Sequence, residues 1–140
     1  MNAMDAAAYE VVAETPSVET YRELRVVAGL SPKSEQAARI ALPNSWASVV
    51  VRHDGEPVGM GRVIGDGGCH FQVVDICVRP EYQGRGLGKR IMAALVADLE
   101  ARVPEGGYVS LIADGDAKHL YAQFGFAETA PASVGMARRF

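Results

Sequence analysis

The stretch Gln83–Arg90, QGRGLGKR, puts three glycines and three cations directly before a segment with helical periodicity. Apolar residues recur at every fourth position there, which predicts the buried face of a helix that ends near Arg102. These residues are Leu87, Ile91, Leu95 and Leu99. The first N–H groups of a helix have no partner inside it and lie at the positive end of its dipole. Because glycine leaves room for a ligand to approach those groups, the stretch predicts a site for a phosphate or pyrophosphate.

Spacing excludes two familiar phosphate-binding loops. A P-loop has the pattern G-x-x-x-x-G-K-[ST], but arginine follows Gly88-Lys89, and glutamine stands where the first glycine should be. A dinucleotide-binding fingerprint has the pattern G-x-G-x-x-G. When the pattern starts at Gly84, Lys89 replaces its third glycine, and when it starts at Gly86, Ile91 does. The stretch is therefore a glycine-rich helix start of another kind.

The remainder of the chain has the periodicity and turn signals of a mixed α/β domain. Strands are predicted at Tyr9–Ala13, Ser45–Arg52, Pro57–Ile64, Cys69–Val78 and Tyr108–Ala113, with one or two more within Phe126–Phe140. Helices are predicted at Ser17–Gly29, Ser31–Leu42, Leu87–Arg102 and Ala117–Phe124. Asp54-Gly55 predicts a hairpin between the second and third strands. The order is βααβββαβαβ, with a further strand allowed at the end, and we predict one domain over residues 1–140.

Composition and charge bear on the class of ligand. The chain has 140 residues, 49% of them hydrophobic, and a formal net charge of −3, which is typical of a soluble protein. That weak negative charge argues against nucleic acid as the main ligand. The basic cluster Arg79–Arg90 still leaves a nucleic-acid-binding domain as an alternative, which would bind with strong salt dependence.

The cysteines and the N-terminus bear on the compartment. If Cys69 and Cys77 lie on one strand, eight residues separate them by about 26 Å at about 3.3 Å per residue. A disulfide requires Cα atoms within about 7 Å of each other, so both are predicted to be free thiols in a reducing compartment. No signal peptide is apparent, and no stretch approaches the roughly 20 apolar residues of a membrane span. We expect a cytoplasmic protein without a membrane partner.

Three motifs resemble the GNAT superfamily of acyl-CoA N-acyltransferases. Gln83-x-x-Gly86-x-Gly88 resembles its acyl-CoA signature, Q/R-x-x-G-x-G/A. The surrounding DICVRPEYQGRGLGKRIM, residues 75–92, is similar to the longest conserved block of the family. LYAQFGF, residues 120–126, is similar to its Y-x-x-x-G-F segment. The resemblance covers about residues 45–126 and implies a central, mostly antiparallel mixed sheet flanked by helices.

The resemblance implies a binding site for acetyl-CoA as co-substrate, without a metal. The backbone of Ile76, Cys77 and Val78 would pair with pantetheine as a short extra strand. The pyrophosphate would lie on backbone N–H groups of Gly84–Lys89, and cationic side chains could add charge to the phosphates. The cofactor-binding residues so implied in the loop are Gln83, Gly84, Arg85, Gly86, Leu87, Gly88, Lys89 and Arg90.

The same resemblance implies Tyr121 as the general acid that protonates the departing CoA thiolate. A packing tyrosine on a helix is the alternative. Many members use a glutamate as general base, but Gln72 and Ile112 stand near the corresponding positions. Asp75 is the best substitute, as a base or as an anchor for the substrate ammonium, because a carboxylate that interrupts an apolar strand should be buried with a raised pKa. A structural aspartate is the alternative reading.

Other residues are candidates by type. His70 and His119 could act as bases, and Cys77 could act as a nucleophile in a ping-pong reaction, although no histidine is obviously paired with it. Trp46 could belong to the core or could line the acceptor pocket. No spacing of His, Cys, Asp or Glu resembles a metal site.

The predicted function is transfer of an acetyl group from acetyl-CoA to a primary amine by direct attack in a ternary complex. A small-molecule amine is favoured as acceptor, because no peptide-docking segment is visible. Alternatives are a protein or peptide N-acetyltransferase and an acyl-CoA-binding regulatory domain without turnover. No nucleic acid is expected as partner, and a homodimer is the assembly left open.

Overall fold

The computed structural model describes residues 8–140, which contain five strands and four helices. The strands are β1 (Tyr9–Val12), β2 (Ala47–His53), β3 (Glu56–Gly65), β4 (His70–Val78) and β5 (Tyr108–Leu111). The helices are α1 (Val18–Val27), α2 (Glu35–Ala41), α3 (Leu87–Arg102) and α4 (Ala117–Ala122). Short 3₁₀ turns occupy Leu42–Asn44 and Pro80–Tyr82. No helix within the described part of the chain is long and apolar enough to cross a bilayer.

The strands form one mixed sheet in the order β1-β2-β3-β4-β5. The first three pairings are antiparallel, and β4 pairs with β5 in parallel. Asp54 and Gly55 connect β2 to β3 with positive φ values of 51° and 82°. Two consecutive positive φ values are typical of the type I′ turn, which joins the twisted strands of a hairpin. The predicted hairpin and the predicted mostly antiparallel mixed sheet are both confirmed.

A bulge interrupts β4 near its middle. Cys77 pairs with Met60, but Val74 pairs with Arg62, so one residue of β3 faces two residues of β4. The first of those two residues, Asp75, has a φ of 62°, which is rare for a residue with a side chain. A bulge of this kind bends its strand and increases the local twist.

The bulge coincides with the point where β4 leaves β5. Their parallel pairing begins at His70–Tyr108 and ends at Val73–Leu111. Beyond that pair, residues 74–78 of β4 have no partner strand on the β5 side among the described residues. The sheet therefore contains an open backbone edge immediately before the glycine-rich stretch.

Helix α3 packs on one face of the sheet and buries the side chains that the periodicity predicted. These are Leu87, Ile91, Leu95 and Leu99, together with Met92. The helix approaches β3 closely, because a Cβ at Gly61 would lie 2.6 Å from Cγ2 of Ile91. Any larger residue at position 61 would therefore push against α3. The predicted end of this helix at Arg102 is confirmed.

Helices α1 and α2 cover the other face, around a smaller cluster that includes Leu24, Met60 and Cys77. Helix α2 starts at Glu35, capped by Ser34, and the predicted start at Ser31 is wrong. The carbonyl oxygen and hydroxyl of Ser31 accept hydrogen bonds of 2.8 and 3.0 Å from the Arg25 guanidinium. These bonds hold Ser31 in the connecting loop, and Ser34 supplies the competing cap.

The end of the chain differs from the prediction. No strand forms within residues 126–140, so the strands predicted there are wrong and the observed order ends at α4. The backbone bonds of this segment are local, from the Phe126 N–H to the Tyr121 carbonyl and from the Ser133 N–H to the Thr129 carbonyl. A strand requires a neighbouring edge to pair with, and β5 is only four residues long.

Candidate functional site

The glycine-rich turn leaves the start of α3 open. Gly84 and Gly86 have φ values of 78° and 76°, and a Cβ at either position would meet no heavy atom within 4 Å. Gly86 is the N-cap residue of α3 and provides no side-chain cap. Leu87 is buried and holds the first turn against the core. Glycine suits the left-handed backbone at these positions. The first N–H groups of α3 are not capped by a side chain, and a phosphate site at this helix start requires such open groups.

Gln83 joins the end of β4 to this turn. Its Nε2 donates a 3.0 Å hydrogen bond to the carbonyl oxygen of Val78. The Arg79 N–H donates to the Val58 carbonyl at 2.8 Å, on the β3 side of the strand. In an antiparallel ladder these directions alternate, so Cys77 directs its backbone groups toward β3 and Val78 directs its own away. Val78 and Ile76, rather than Cys77, therefore direct backbone groups to the open edge, where the Val78 carbonyl is already bonded to Gln83 and its N–H is left for a ligand.

The three cations of the turn differ in their surroundings. Arg85 and Lys89 are exposed and form no ion pair or hydrogen bond with any described residue. Arg90 is half-buried, and its guanidinium donates to the carbonyl oxygen of Tyr9 at 3.3 Å. Arg85 and Lys89 are thus the cations that could reorient toward a phosphate, and the phosphate-binding roles of all three stay predictions.

Cys77 lies in the core on the α1 side of the sheet. Its Sγ is 3.9 Å from the carbonyl oxygen of Leu24. Burial, and secondarily the charge of Asp75, raise the pKa of the Cys77 thiol to about 12. A thiol with so little thiolate is a poor nucleophile. The geometry therefore argues against the ping-pong alternative.

Tyr121 lies on α4 and packs half-buried against the main core. Leu120, its neighbour, reaches to 3.6 Å from the position of a Cβ at Gly88, so α4 packs beside the start of α3. Burial raises the pKa of the Tyr121 phenol above its ordinary value, and the charge of Asp114 raises it further. Its hydroxyl forms no hydrogen bond within residues 8–140, so a protonated donor remains available there.

Asp75 is held by three side chains from two other elements. Its Oδ2 accepts a 2.8 Å bond from Nε of Arg62, and its Oδ1 accepts from Arg25 and, at 3.1 Å, from the Tyr21 hydroxyl. The side chains of Asp75 and Arg62 are 4% and 5% exposed. Burial and then the Asp75 charge raise the pKa of the Tyr21 phenol. The catalytic role of Asp75 stays a prediction, but both its oxygens already have partners, as in the structural alternative.

The partners of Asp75 lie outside the predicted site. A signal for them exists in the sequence, because Arg62 interrupts the apolar strand MGRVI and Arg25 follows Leu24 in the amphipathic α1. Charged residues in apolar surroundings are usually paired. The pairing itself joins residues 50 and 13 positions apart, which no local pattern reveals.

The remaining candidates lie apart from this cluster. His70 and His119 are exposed, and Ile112 is 65% exposed at the end of β5. Trp46 packs edge-on to Phe71 at 5.0 Å between ring centroids, beneath the Arg102 guanidinium at 3.8 Å from the ring centre. These contacts favour the core reading for Trp46. The described residues contain no group of three or more His, Cys, Asp or Glu that could hold a metal.

The chain matches known acetyltransferases in sequence and structure. Residues 44–128 match the family described as "Acetyltransferase (GNAT) domain". Serotonin N-acetyltransferase 2, chloroplastic, of Oryza sativa subsp. japonica is 36% identical over 115 residues, 78% of this chain and 56% of that protein. Histone acetyltransferase TAP1 of Glycine max is 35% identical over 69 residues, 49% of this chain and 29% of that protein. This chain thus spans little more than half of the rice relative's length.

A solved structure from meticillin-resistant Staphylococcus aureus, described as a probable acetyltransferase, matches with a TM-score of 0.90. It is 44% identical, and the match covers 94% of this chain and 99% of that one. Glucosamine-6-phosphate N-acetyltransferase of Arabidopsis thaliana, at 15% identity and a TM-score of 0.67, shares the fold. The family model covers more than half of the chain, so the expected resemblance is confirmed, and the chain belongs to the GNAT acetyltransferase family.

Proposed function

We propose that the protein transfers an acetyl group from acetyl-CoA to a primary amine of a small molecule, in a ternary complex. The observation that carries the proposal is the continuity of two features. The open edge of β4 at residues 74–78 leads directly into the uncapped, glycine-lined start of α3. CoA has two parts that match these features in the same order. Its extended pantetheine arm can pair with a strand edge, and the pyrophosphate at the end of that arm can bind at a helix start.

In the proposed complex, pantetheine pairs with Ile76 and Val78, and the pyrophosphate lies on the N–H groups of Gly84–Lys89. Arg85 and Lys89 then turn toward the phosphates. Both are unpaired with the described residues, so reorientation breaks no ion pair. Backbone pairing and anion binding together fix the thioester near the bulge.

The neutral amine attacks the thioester carbonyl carbon. A C–N bond forms, the carbonyl oxygen becomes an oxyanion, and the C–S bond then breaks. CoA leaves as a thiolate, which takes up a proton, while the amide nitrogen loses one. Tyr121 is a phenol at neutral pH, and its raised pKa extends the range in which it stays protonated, so we assign it the hydrogen bond or proton to the sulfur. Strand N–H groups facing the open edge stabilise the oxyanion.

The names of the relatives bear on the acceptor. The rice relative is named for serotonin, a small primary amine, and matches 78% of this chain. The soybean relative is named for histones and matches 49% of it. The wider match supports a small-molecule amine, and a protein amine is the second candidate.

The proposal is tested by acetyl-CoA-dependent thiol release with a panel of small primary amines and a lysine-containing histone peptide. We expect release that requires an amine and is fastest with a small one. Faster release with the peptide would move the assignment to a protein acceptor. Tight CoA binding without release by any acceptor would instead support a regulatory acyl-CoA-binding domain.

A further inference from the structure

Asp75 occupies the most constrained position of β4. It is the first residue of the bulge, and its φ is 62°. The parallel pairing between β4 and β5 ends two residues before it, at Val73. A left-handed residue other than glycine costs roughly 1 kcal/mol of conformational free energy, so surrounding contacts must hold it. Those contacts fix where β4 turns away from β5.

The contacts come from the helix layer that covers this face of the sheet and from the adjacent strand. Arg25 and Tyr21 reach Asp75 from α1, and Arg62 reaches it from β3. Each guanidinium is anchored in turn, Arg25 by Ser31 and Arg62 by the Ser45 hydroxyl at 2.9 Å. The carboxylate therefore joins helix α1, its following loop and the central strands at one buried point.

We infer that Asp75 is a positioning residue for the acetyl-CoA site: with Tyr21, Arg25 and Arg62 it holds the β4 bulge, and thereby the open edge at residues 76–78, in the conformation that accepts pantetheine. This inference rests on the proposed function. It assigns Asp75 a role that differs from the predicted general base, because a base would have to release two guanidinium groups before it could take a proton from the amine.

A test of Asp75 has to separate the effect of the lost link from the effect of the changed buried charge. Two arginines and one aspartate leave a buried net charge of +1 in the cluster. Removing the carboxylate raises it to +2, which destabilises the fold as well as the bulge. Asparagine is the suitable replacement, because it tolerates the left-handed backbone and keeps the shape of the side chain. The double variant R62M/D75N restores the net charge of +1 without restoring the link.

The mildest variant is Tyr21→Phe, which removes one hydrogen bond to Asp75 and no charge. We expect the dissociation constant for acetyl-CoA, measured by calorimetry without any acceptor, to rise about fivefold, the equivalent of one hydrogen bond. Asp75→Asn should raise it roughly tenfold or more, and R62M/D75N should recover thermal stability but not affinity. The shape of the pH profile of kcat/KM should not change in Tyr21→Phe.

Glu14→Gln is the matched control. It removes a carboxylate from an arginine, Arg52, on β2, which β3 separates from β4, and it makes no contact with the Asp75 cluster, so acetyl-CoA affinity should stay unchanged. If Asp75→Asn does not fold, Tyr21→Phe decides the matter. Acetyl-CoA affinity within twofold of the parent in every variant that folds would overturn the inference, and a lowered kcat with loss of the acidic limb in Asp75→Asn would then favour a base. Failure of the parent protein to bind acetyl-CoA at all would remove the proposed function first.

Discussion

The side chain of Gln83 bonds back to the carbonyl oxygen of Val78 at 3.0 Å, so the loop that should bind pyrophosphate is tied to the strand that should bind pantetheine. The bond spans five residues and the 3₁₀ turn Pro80–Tyr82. It fixes the direction in which the chain leaves β4 and therefore where the N–H groups of the glycine turn point. Gln83, the first residue of the acyl-CoA signature, thus has a structural role in addition to its proposed role in binding the cofactor.

Replacing Gln83 with alanine should loosen this connection. We expect the free energy of unfolding to fall by about 1 kcal/mol, the usual net value of one hydrogen bond, and the acetyl-CoA dissociation constant to rise severalfold. Urea unfolding and calorimetry measure the two quantities. Gln123→Ala is the control, since the Gln123 amide makes only an exposed 3.5 Å contact with the His119 carbonyl on α4. Tighter acetyl-CoA binding in Gln83→Ala would mean that Gln83 competes with the cofactor for Val78.

A side chain at Gly86 should block the anion site. Gly86→Val forces a left-handed residue to carry a branched side chain, which costs about 1–2 kcal/mol in stability and covers the first N–H groups of α3. Acetyl-CoA affinity should fall by at least about tenfold. The matched control is Gly106→Val beyond the other end of α3, where φ is 85° and a Cβ also meets no atom within 4 Å. Equal losses of acetyl-CoA affinity in both variants would contradict the pyrophosphate placement.

The glycine turn and α3 could be predicted because their signals are local. Positive φ favours glycine, as at Gly84 and Gly86, and a four-residue period marks the buried face of a helix. The partners of Asp75 could not be predicted, since Tyr21 lies 54 residues away and contacts it only after the sheet has formed. The missing strand within residues 126–140 has the same cause. A strand depends on an edge to pair with, and no pattern within the segment reveals whether one exists.

Tyr121→Phe should remove the proton donor while keeping the packing. We expect kcat to fall roughly a hundredfold with little change in acetyl-CoA affinity, as for loss of a general acid. Since burial raises the phenol pKa above its ordinary value, the donor form persists through neutral pH, and the alkaline loss of activity from this group should come at a higher pH than for a free phenol. Tyr108→Phe, at an exposed position on β5, is the control. An unchanged kcat in Tyr121→Phe would exclude the general-acid role.

The two thiols should differ sharply in reactivity. With a pKa of about 12, Cys77 carries roughly one thiolate in ten thousand at pH 8, and its Sγ is buried against Leu24, whereas Cys69 is exposed. A disulfide reagent should therefore titrate one thiol per chain rapidly in the native protein and the second only after unfolding in guanidinium. Cys69→Ser should abolish the fast phase. Direct transfer to the amine requires no cysteine nucleophile, so Cys77→Ala should retain turnover; loss of turnover with normal acetyl-CoA affinity would revive the ping-pong alternative.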